Sequence, residues 1–211
     1  MTVNYQLFEL LNHEAGRIPW LDDLMVFAAT RLIYAVFAVA AVLVAVAVAR
    51  RQTRTVVQLG LTLVLAFSAA TVSAHLGHQV RPFQTHRVHQ LIAHHPGVSL
   101  PSDHATAVFA LAFGVGMFLH RGWGALLTVA ALIIGLARVG VGVHDPGDIL
   151  AAAMIAGLPV LAAAITTRPR SAAAPRGEPA ERLSGLVGMQ RSLIAPASAP
   201  VLATAGRGSG Q

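Results

Sequence analysis

Long apolar runs separated by short polar gaps organise most of the chain. Five runs have a length that suits helices crossing a bilayer, with some tilt. They cover roughly residues 24–49, 55–74, 102–119, 123–143 and 146–166. The third run is short, as expected if its first turn lines a pocket rather than lipid. The pattern predicts an all-α fold, a polytopic membrane helical bundle of about five transmembrane helices.

The segments outside these runs have different patterns. From Tyr5 to Glu14, leucines alternate with polar residues at helical spacing, which predicts a short N-terminal amphipathic helix at the membrane interface. Residues 168–211 are rich in Ala, Pro, Gly, Ser and Arg without a sustained period, which predicts a disordered cytoplasmic tail. We therefore expect one membrane-embedded domain, residues 1–167, followed by this tail.

The composition supports a membrane protein and excludes several other classes. Hydrophobic residues make up 55% of the 211 positions and charged residues 11%, which is not typical of a soluble globular protein. There is no cysteine, so disulfides and thiolate metal sites are excluded. The net charge is +6, but Arg50, Arg51 and Arg54 cluster between two apolar runs, as in a cytoplasmic membrane-flanking loop. Nucleic acid is therefore not an expected partner, and membrane lipids are.

Arginine counting over the short flanks predicts the orientation. One side of the bundle carries seven arginines and should be cytoplasmic: Arg50, Arg51, Arg54, Arg121, Arg168, Arg170 and Arg176. The loop at 75–101 and the turn at 143–146 then both face outward. Two polar segments that are distant in sequence would share one membrane face.

Ionisable residues concentrate in those two segments. Seven histidines fall between His75 and His104, and the only acids between residues 24 and 176 are Asp103, Asp145 and Asp148. Ionisable groups at membrane depth are expensive to desolvate and mark functional sites. Arginines bind phosphate, one histidine can attack, an acid can orient it, and a second histidine can donate a proton.

The tetrapeptide Pro101-Ser102-Asp103-His104 opens the third run. Ser102 stands where an N-cap residue satisfies free backbone N–H groups, so capping alone explains it. A helix N-terminus is also a ready anion site, and His104 in the first turn can face the same anion. The tetrapeptide by itself leaves capping and anion binding both open.

A second group of polar residues follows the fourth run. Asp148 comes four residues after His144, so the two side chains are neighbours if they share a helical turn. A carboxylate that accepts the Nδ1–H of a histidine leaves Nε2 free and more nucleophilic. Arg138 and Arg81 place guanidinium groups on the same face, and their planar forks suit phosphate oxygens.

In this order, Arg81-Pro82, Pro101-Ser102-Asp103-His104, and Arg138 with His144 and Asp148 resemble the three motifs of the type-2 phosphatidic acid phosphatase superfamily. The resemblance covers roughly residues 5–165. Asp103 stands where the family commonly has glycine, and residues 99–106 are similar to the bacitracin-resistance type of bacterial undecaprenyl-diphosphatase.

This resemblance implies a metal-independent lipid phosphatase of the bacterial cytoplasmic membrane that needs no cofactor. Its site would face the extracytoplasmic side, and its substrate would be a polyprenyl diphosphate lipid. Undecaprenyl diphosphate would be hydrolysed to undecaprenyl phosphate and phosphate, which recycles the lipid carrier of cell-wall synthesis.

The resemblance also implies a role for each site residue. His144 would attack the terminal phosphorus and carry a phosphohistidine, Asp148 would orient it, and His104 would protonate the departing lipid phosphate. The phosphoryl oxygens would be bound by Arg81, Ser102, Asp103 and Arg138. Because a carboxylate beside phosphate is unfavourable, we expect Asp103 to point to an arginine or another histidine.

One position departs from the family. Its first motif begins with a lysine seven residues before the arginine, where this chain has Ala74. His75 and His78 are the nearby alternatives, although neither is an equivalent phosphate anchor at neutral pH. A solvated or headgroup-facing loop explains the remaining histidines better than zinc, because no cysteine or nearby carboxylate completes a site. Those histidines are His86, His89, His94 and His95.

Two alternative functions stay open. One is the same chemistry on another lipid phosphate, such as phosphatidylglycerol phosphate or phosphatidate. The other is a non-enzymatic, histidine-rich membrane protein that binds metal. That protein would depend on the loop histidines and be sensitive to chelators, whereas the enzyme would depend on His144.

Overall fold

Helices account for almost all regular structure in the described residues. The structure, a computed structural model, describes residues 3–167, and the tail predicted at 168–211 lies outside the described residues. The helices are α1 Val3–Asn12, α2 Pro19–Thr30, α3 Leu32–Ala49, α4 Thr53–Leu76, α5 Pro82–Thr85, α6 Asp103–Gly114, α7 Arg121–Gly140 and α8 Pro146–Thr167, with a π-helical turn at Val115–Leu119.

The prediction of an all-α, polytopic bundle is confirmed. Within residues 3–167, four helical segments are long and apolar enough to cross a membrane: α2 with α3, then α4, α7 and α8. The fifth predicted span is the shorter apolar segment Asp103–Leu119, formed by α6 and its π-helical turn. The chain is a multi-pass membrane protein.

The first predicted span differs from the structure in its start and its continuity. We predicted one run from residue 24, but α2 begins at Pro19, whose missing N–H costs nothing at the first helical position. The helix is interrupted at Arg31. The Arg31 N–H still donates to Phe27 O at 2.8 Å, whereas the Tyr34 N–H donates three residues back, to Arg31 O, at 3.1 Å. This local tightening separates α2 from α3 around an exposed arginine.

Helix α6 lies at the centre of the bundle and packs against α4, α7 and α8. Its buried face carries small residues such as Ala105, Ala110 and Ala112. Lipid tails are as apolar as side chains, so close backbone approach between small residues is what holds such helices together. Some large apolar side chains of the neighbouring helices point outward; Leu61 and Leu158, for example, are 58% and 65% exposed. The start of α6 is therefore fixed among three neighbouring helices.

The backbones of the π-helical turn and α7 approach each other closely. A Cβ atom added at Gly124 would lie 2.1 Å from the Cα of Gly116. Only glycines allow this separation, which brings the turn that follows α6 into contact with the first turn of α7.

The loops at one end of the bundle are joined by hydrogen bonds, some of them to α1. Asn12 is buried, and its Nδ2 donates to the carbonyls of His89 and Gly140, each at 2.8 Å. The Gly147 N–H at the start of α8 donates to Asn4 Oδ1 at 2.8 Å. Helix α1 therefore packs over the loop end of the bundle. Its outer residues Leu7 and Leu10 are exposed, as expected for the predicted interfacial helix.

Candidate active site

The polar segments predicted to meet do meet at this end of the bundle. Arg81 precedes α5, and its Nη1 donates to the Val143 carbonyl at 3.2 Å. The same nitrogen lies 3.1 Å from Nε2 of His144. The long loop before α6 and the turn between α7 and α8 thus converge on one imidazole.

The turn between α7 and α8 is built to hold His144 in place. Gly142 has a φ of +84°, and a Cβ atom there would lie 2.8 Å from the His89 carbonyl oxygen. A glycine is therefore required both by the left-handed backbone and by the close loop. After it, Pro146 begins α8 and Asp148 falls in its first turn. The side chain of His144 is 2% exposed.

A fully buried carboxylate stands behind His144. Asp148 Oδ2 lies 3.2 Å from Nδ1 of His144 and accepts the Asp145 N–H at 2.9 Å. It also accepts a short hydrogen bond from Ser99 Oγ. Asp148 thus fixes the histidine, the first turn of α8 and the loop before α6 at once.

These contacts determine the form of the imidazole. A guanidinium can only donate, so Arg81 meets a lone pair at Nε2. An ionised carboxylate can only accept, so the hydrogen of neutral His144 lies on Nδ1, toward Asp148. Nε2, the nitrogen that faces Arg81, therefore carries the lone pair of the neutral ring.

Helix α6 brings the second motif to the same cluster. Ser102 is fully buried, and its Oγ accepts the Ala105 N–H at 3.5 Å, so the predicted cap forms. His104 is partly exposed, within electrostatic range of Arg138, Asp103, His94 and Arg81. Asp103 is exposed at the rim of this cluster. Its carboxylate acts electrostatically on Arg81, Arg138 and His104, and its orientation toward one of them stays a prediction.

The two arginines carry hydrogen-bond donors without protein acceptors. Arg138 is 2% exposed, and within residues 3–167 its Nε and Nη2 find no partner. The same holds for Nε of Arg81 and for Oδ1 of Asp148. An unsatisfied buried donor is costly, more so when it is charged. Two such guanidiniums beside a nucleophilic imidazole are suited to an oxyanion with several acceptors.

Burial and neighbouring charges shift the pKa values of site groups that lie outside the helices. Burial lowers the pKa of His144 to about 4; the charges of Arg138 and Arg81 act in the same direction, whereas Asp148 opposes them. Burial also lowers the pKa of Arg81, with Asp148 and Asp103 opposing. Burial and the neighbouring Asp148 raise the pKa of Asp145. His144 is consequently a free base at neutral pH.

Two residues near the nucleophile were not assigned a role from the sequence. Ser99 is fully buried, and its Oγ contacts Asp148 and lies 3.4 Å from Nδ1 of His144. His94 places its ring centroid 6.2 Å from that of His144, at an interplanar angle of 76°. A serine in a loop carries no periodic signal. His94 was one of several loop histidines that the sequence does not rank.

The other histidines lie differently. His86 stacks on Tyr5, with ring centroids 4.1 Å apart, and His95 is exposed. His75 is exposed and bonds the Thr71 carbonyl through Nδ1 at 2.7 Å, one turn back along α4. Across residues 3–167, no three His, Cys, Asp or Glu side chains group in a way that could hold a metal ion.

Known proteins are similar to this chain in sequence and in architecture. The family model described as the PAP2 superfamily matches residues 55–171. YbjG of Escherichia coli (strain K12) is 34% identical over 149 residues, which are 70% of this chain and 74% of that protein. Undecaprenyl-diphosphatase BcrC of Bacillus subtilis (strain 168) is 31% identical over 156 residues, 73% of this chain and 79% of BcrC. The crystal structure of Aquifex aeolicus LpxE superposes with a TM-score of 0.63 at 25% identity, covering 77% of this chain and 94% of that one.

Proposed function

The chain belongs to the PAP2 superfamily, and on that premise we propose that it is a membrane phosphatase that converts undecaprenyl diphosphate to undecaprenyl phosphate and inorganic phosphate. The observation that carries the proposal is the buried His144, whose Nδ1 faces Asp148 at 3.2 Å and whose Nε2 faces Arg81 at 3.1 Å. The name of the Bacillus subtilis relative supports the choice of substrate.

The reaction begins with the lone pair on Nε2 of His144. It attacks the terminal phosphorus, the bond to the bridging oxygen breaks, and the electron pair leaves with undecaprenyl phosphate. Nε2 then carries the phosphoryl group, Asp148 stabilises the resulting imidazolium-like ring through the hydrogen on Nδ1, and His104 gives its proton to the departing oxygen. Water then attacks the phosphohistidine, with His104 taking the proton, and phosphate is released.

The guanidiniums of Arg81 and Arg138 and the cap of α6 hold the phosphoryl oxygens. The unpartnered N–H groups of both arginines supply the donors, and Ser102 keeps an O–H to donate while its oxygen accepts from the backbone. Charge neutralisation and positioning account for most of the acceleration in phosphoryl transfer. Substrate displaces the Arg81 guanidinium from Nε2, which frees the lone pair for attack.

The site opens to the outer face of the cytoplasmic membrane. Arg50, Arg51, Arg54 and Arg121 all flank the opposite ends of the spans, which the arginine bias assigns to the cytoplasm. Spent carrier lipid would then be recycled on the side where its glycan has been removed.

Phosphate release from undecaprenyl diphosphate, in detergent with EDTA present, tests the proposal. We expect the native protein to be active and His144→Ala to lose at least about 10³-fold in kcat without accumulating a phosphoenzyme. Arg138→Ala should lose roughly 10²- to 10³-fold, as when a transition-state donor is removed. His95→Ala, which replaces an exposed histidine in the long loop before α6, is the control and should retain activity.

Substrate comparison completes the test. Phosphatidylglycerol phosphate and phosphatidate are assayed beside undecaprenyl diphosphate at equal detergent mole fraction. Faster turnover of either monophosphate would reject the substrate proposed here but keep the chemistry. Full activity of His144→Ala would reject the chemistry itself, and abolition by EDTA would favour a metal-dependent reaction.

A further inference from the structure

His94 occupies a fixed position at the rim of the active site. On one side of it, the Leu91 N–H donates to the Val141 carbonyl at 3.1 Å, and Leu91 and Ile92 pack on an apolar cluster that includes Val143. On the other side, Val98 bridges to Val80 in an isolated β-bridge. The loop is therefore held at both ends, three residues before His94 and four after it.

The depth of the two imidazoles differs. His144 is 2% exposed, whereas His94, with its ring centroid 6.2 Å away, is only partly buried. His94 therefore stands between the nucleophile and the aqueous side. Its ring lies edge-to-face toward that of His144 and is partly exposed.

The charges around His94 are all basic. The groups that act on it electrostatically are Arg81, Arg138 and His95, with no carboxylate among them in the described part of the chain. It acts in turn on His104. The side-chain charges that act on His94 thus disfavour a protonated ring, and a bound anion would offset them.

We propose that His94 is a substrate-binding residue that donates a hydrogen bond to the lipid-side phosphate of the diphosphate and so selects diphosphates over monophosphates. This inference rests on the proposed function. The terminal phosphate must enter deepest, because it is attacked by a buried nitrogen. The second phosphate then lies behind it, toward the rim, where His94 stands. In a monophosphate the lipid chain begins at that position.

The orientation of the ring supports this role. Nδ1 of His94 lies 3.3 Å from the His95 carbonyl, which can only accept, so Nδ1 carries a hydrogen when this bond forms. Nε2 is then the atom left for the substrate. Burial and the charge of Arg81 lower the pKa of His94, so a proton stays on Nε2 only beside an anion; the diphosphate headgroup supplies that anion, and Nε2–H then donates to it.

A matched pair of soluble lipids tests the assignment, with farnesyl diphosphate and farnesyl phosphate assayed as alternative substrates. His94→Ala should lower kcat/KM for farnesyl diphosphate roughly 10- to 100-fold, the usual range for a charge-assisted hydrogen bond. The kcat/KM for farnesyl phosphate should change less than about 3-fold, because its single phosphate must lie at His144 to react and the lost contact exists only with a second phosphate.

Three further variants separate hydrogen bonding from packing. His94→Gln keeps an N–H donor and should recover most of the lost kcat/KM, whereas His94→Leu, similar in size but apolar, should not. His95→Ala should leave both constants unchanged.

Equal losses for diphosphate and monophosphate, no loss at all, or equal activity of the Gln and Leu variants would each overturn the role of His94. Failure of the native protein to hydrolyse any lipid phosphate would instead overturn the proposed function on which it rests.

Discussion

At the scale of single residues, Asp148 is the group on which most of the site geometry depends. Its Oδ2 faces His144, the Asp145 N–H and Ser99 Oγ together, so one carboxylate oxygen sets the tautomer of the nucleophile and caps α8. The four-residue spacing between His144 and Asp148 predicted that these two side chains are neighbours. It did not predict Ser99, because a contact across 49 positions leaves no local pattern.

Replacing Asp148 by asparagine tests whether the carboxylate orients His144 by accepting a hydrogen bond or only by filling space. Asp148→Asn keeps the size but presents an N–H₂ group that can stabilise the wrong tautomer, so we expect kcat to fall by roughly 10²- to 10⁴-fold with little change in KM. Ser99→Ala removes only one donor to the same oxygen and should cost about 10-fold or less. Steady-state kinetics on undecaprenyl diphosphate provide the measurement. A larger loss in Ser99→Ala than in Asp148→Asn would contradict this order.

The protonation of His144 gives a second prediction. Its pKa is lowered to about 4, chiefly by burial, so the ring is neutral above that pH and gains a proton only as the pH falls through it. In ¹³Cε1-histidine NMR spectra of the unliganded protein, the His144 resonance should stay unprotonated at pH 5.5, where an ordinary histidine is mostly protonated. The spectrum of His144→Gln assigns the signal. A midpoint near 6.5 would show that the ring is solvated.

At the scale of helices, packing depends on backbone approach more than on side-chain volume. Gly124 and Gly116 bring α7 against the π-helical turn, and Gly135 on α7 meets Ile149 Cγ2, which a Cβ there would approach to 2.6 Å. These contacts hold α7, the helix that carries Arg138, against the π-helical turn and α8.

Gly124→Ala should therefore destabilise the bundle. The added methyl group would meet backbone atoms of Gly116, which cannot swing aside, so we expect about 1–3 kcal/mol of overpacking and a lower melting temperature in detergent. Gly60→Ala is the control. Nothing lies within 4 Å of its Cβ position, and alanine has the better helix propensity. Equal melting temperatures for the two variants would contradict the close contact.

The positions of the helices were largely predictable, but their interruptions were not. The ends of α4, α7 and α8 fall within a few residues of the apolar runs, because polar and glycine-rich gaps mark them. The break at Arg31 and the π-helical turn after α6 have no such marker. Both are local changes in backbone hydrogen bonding that tertiary packing selects.

At the scale of the whole molecule, the antiparallel order of the spans brings α1, the long loop and the α7–α8 turn to one end. The sequence predicted that Arg81 and His144 share this end, since an even number of crossings separates them. It did not predict that α1 packs on the site through Asn4 and Asn12. An amphipathic pattern indicates that a helix has an apolar face, but it does not identify which part of the protein or membrane contacts the helix.

The orientation can be tested without background labelling, because the chain contains no cysteine. A membrane-impermeant maleimide should label His95→Cys, in the exposed loop at the site end, in intact spheroplasts. It should label Gln52→Cys, at the opposite end, only after the membrane is broken. The reverse pattern would place the site in the cytoplasm.

The unpartnered polar atoms of Arg81, Arg138 and Asp148 also affect how the enzyme finishes its cycle. Any oxyanion that satisfies these guanidinium donors binds the folded state alone, so inorganic phosphate should raise the melting temperature, and above its Kd the increase should follow the logarithm of the phosphate concentration. The group that leaves last is such an anion. Product release rather than bond cleavage would then limit turnover where phosphate is abundant, and the enzyme would be thermally most robust when it is least active.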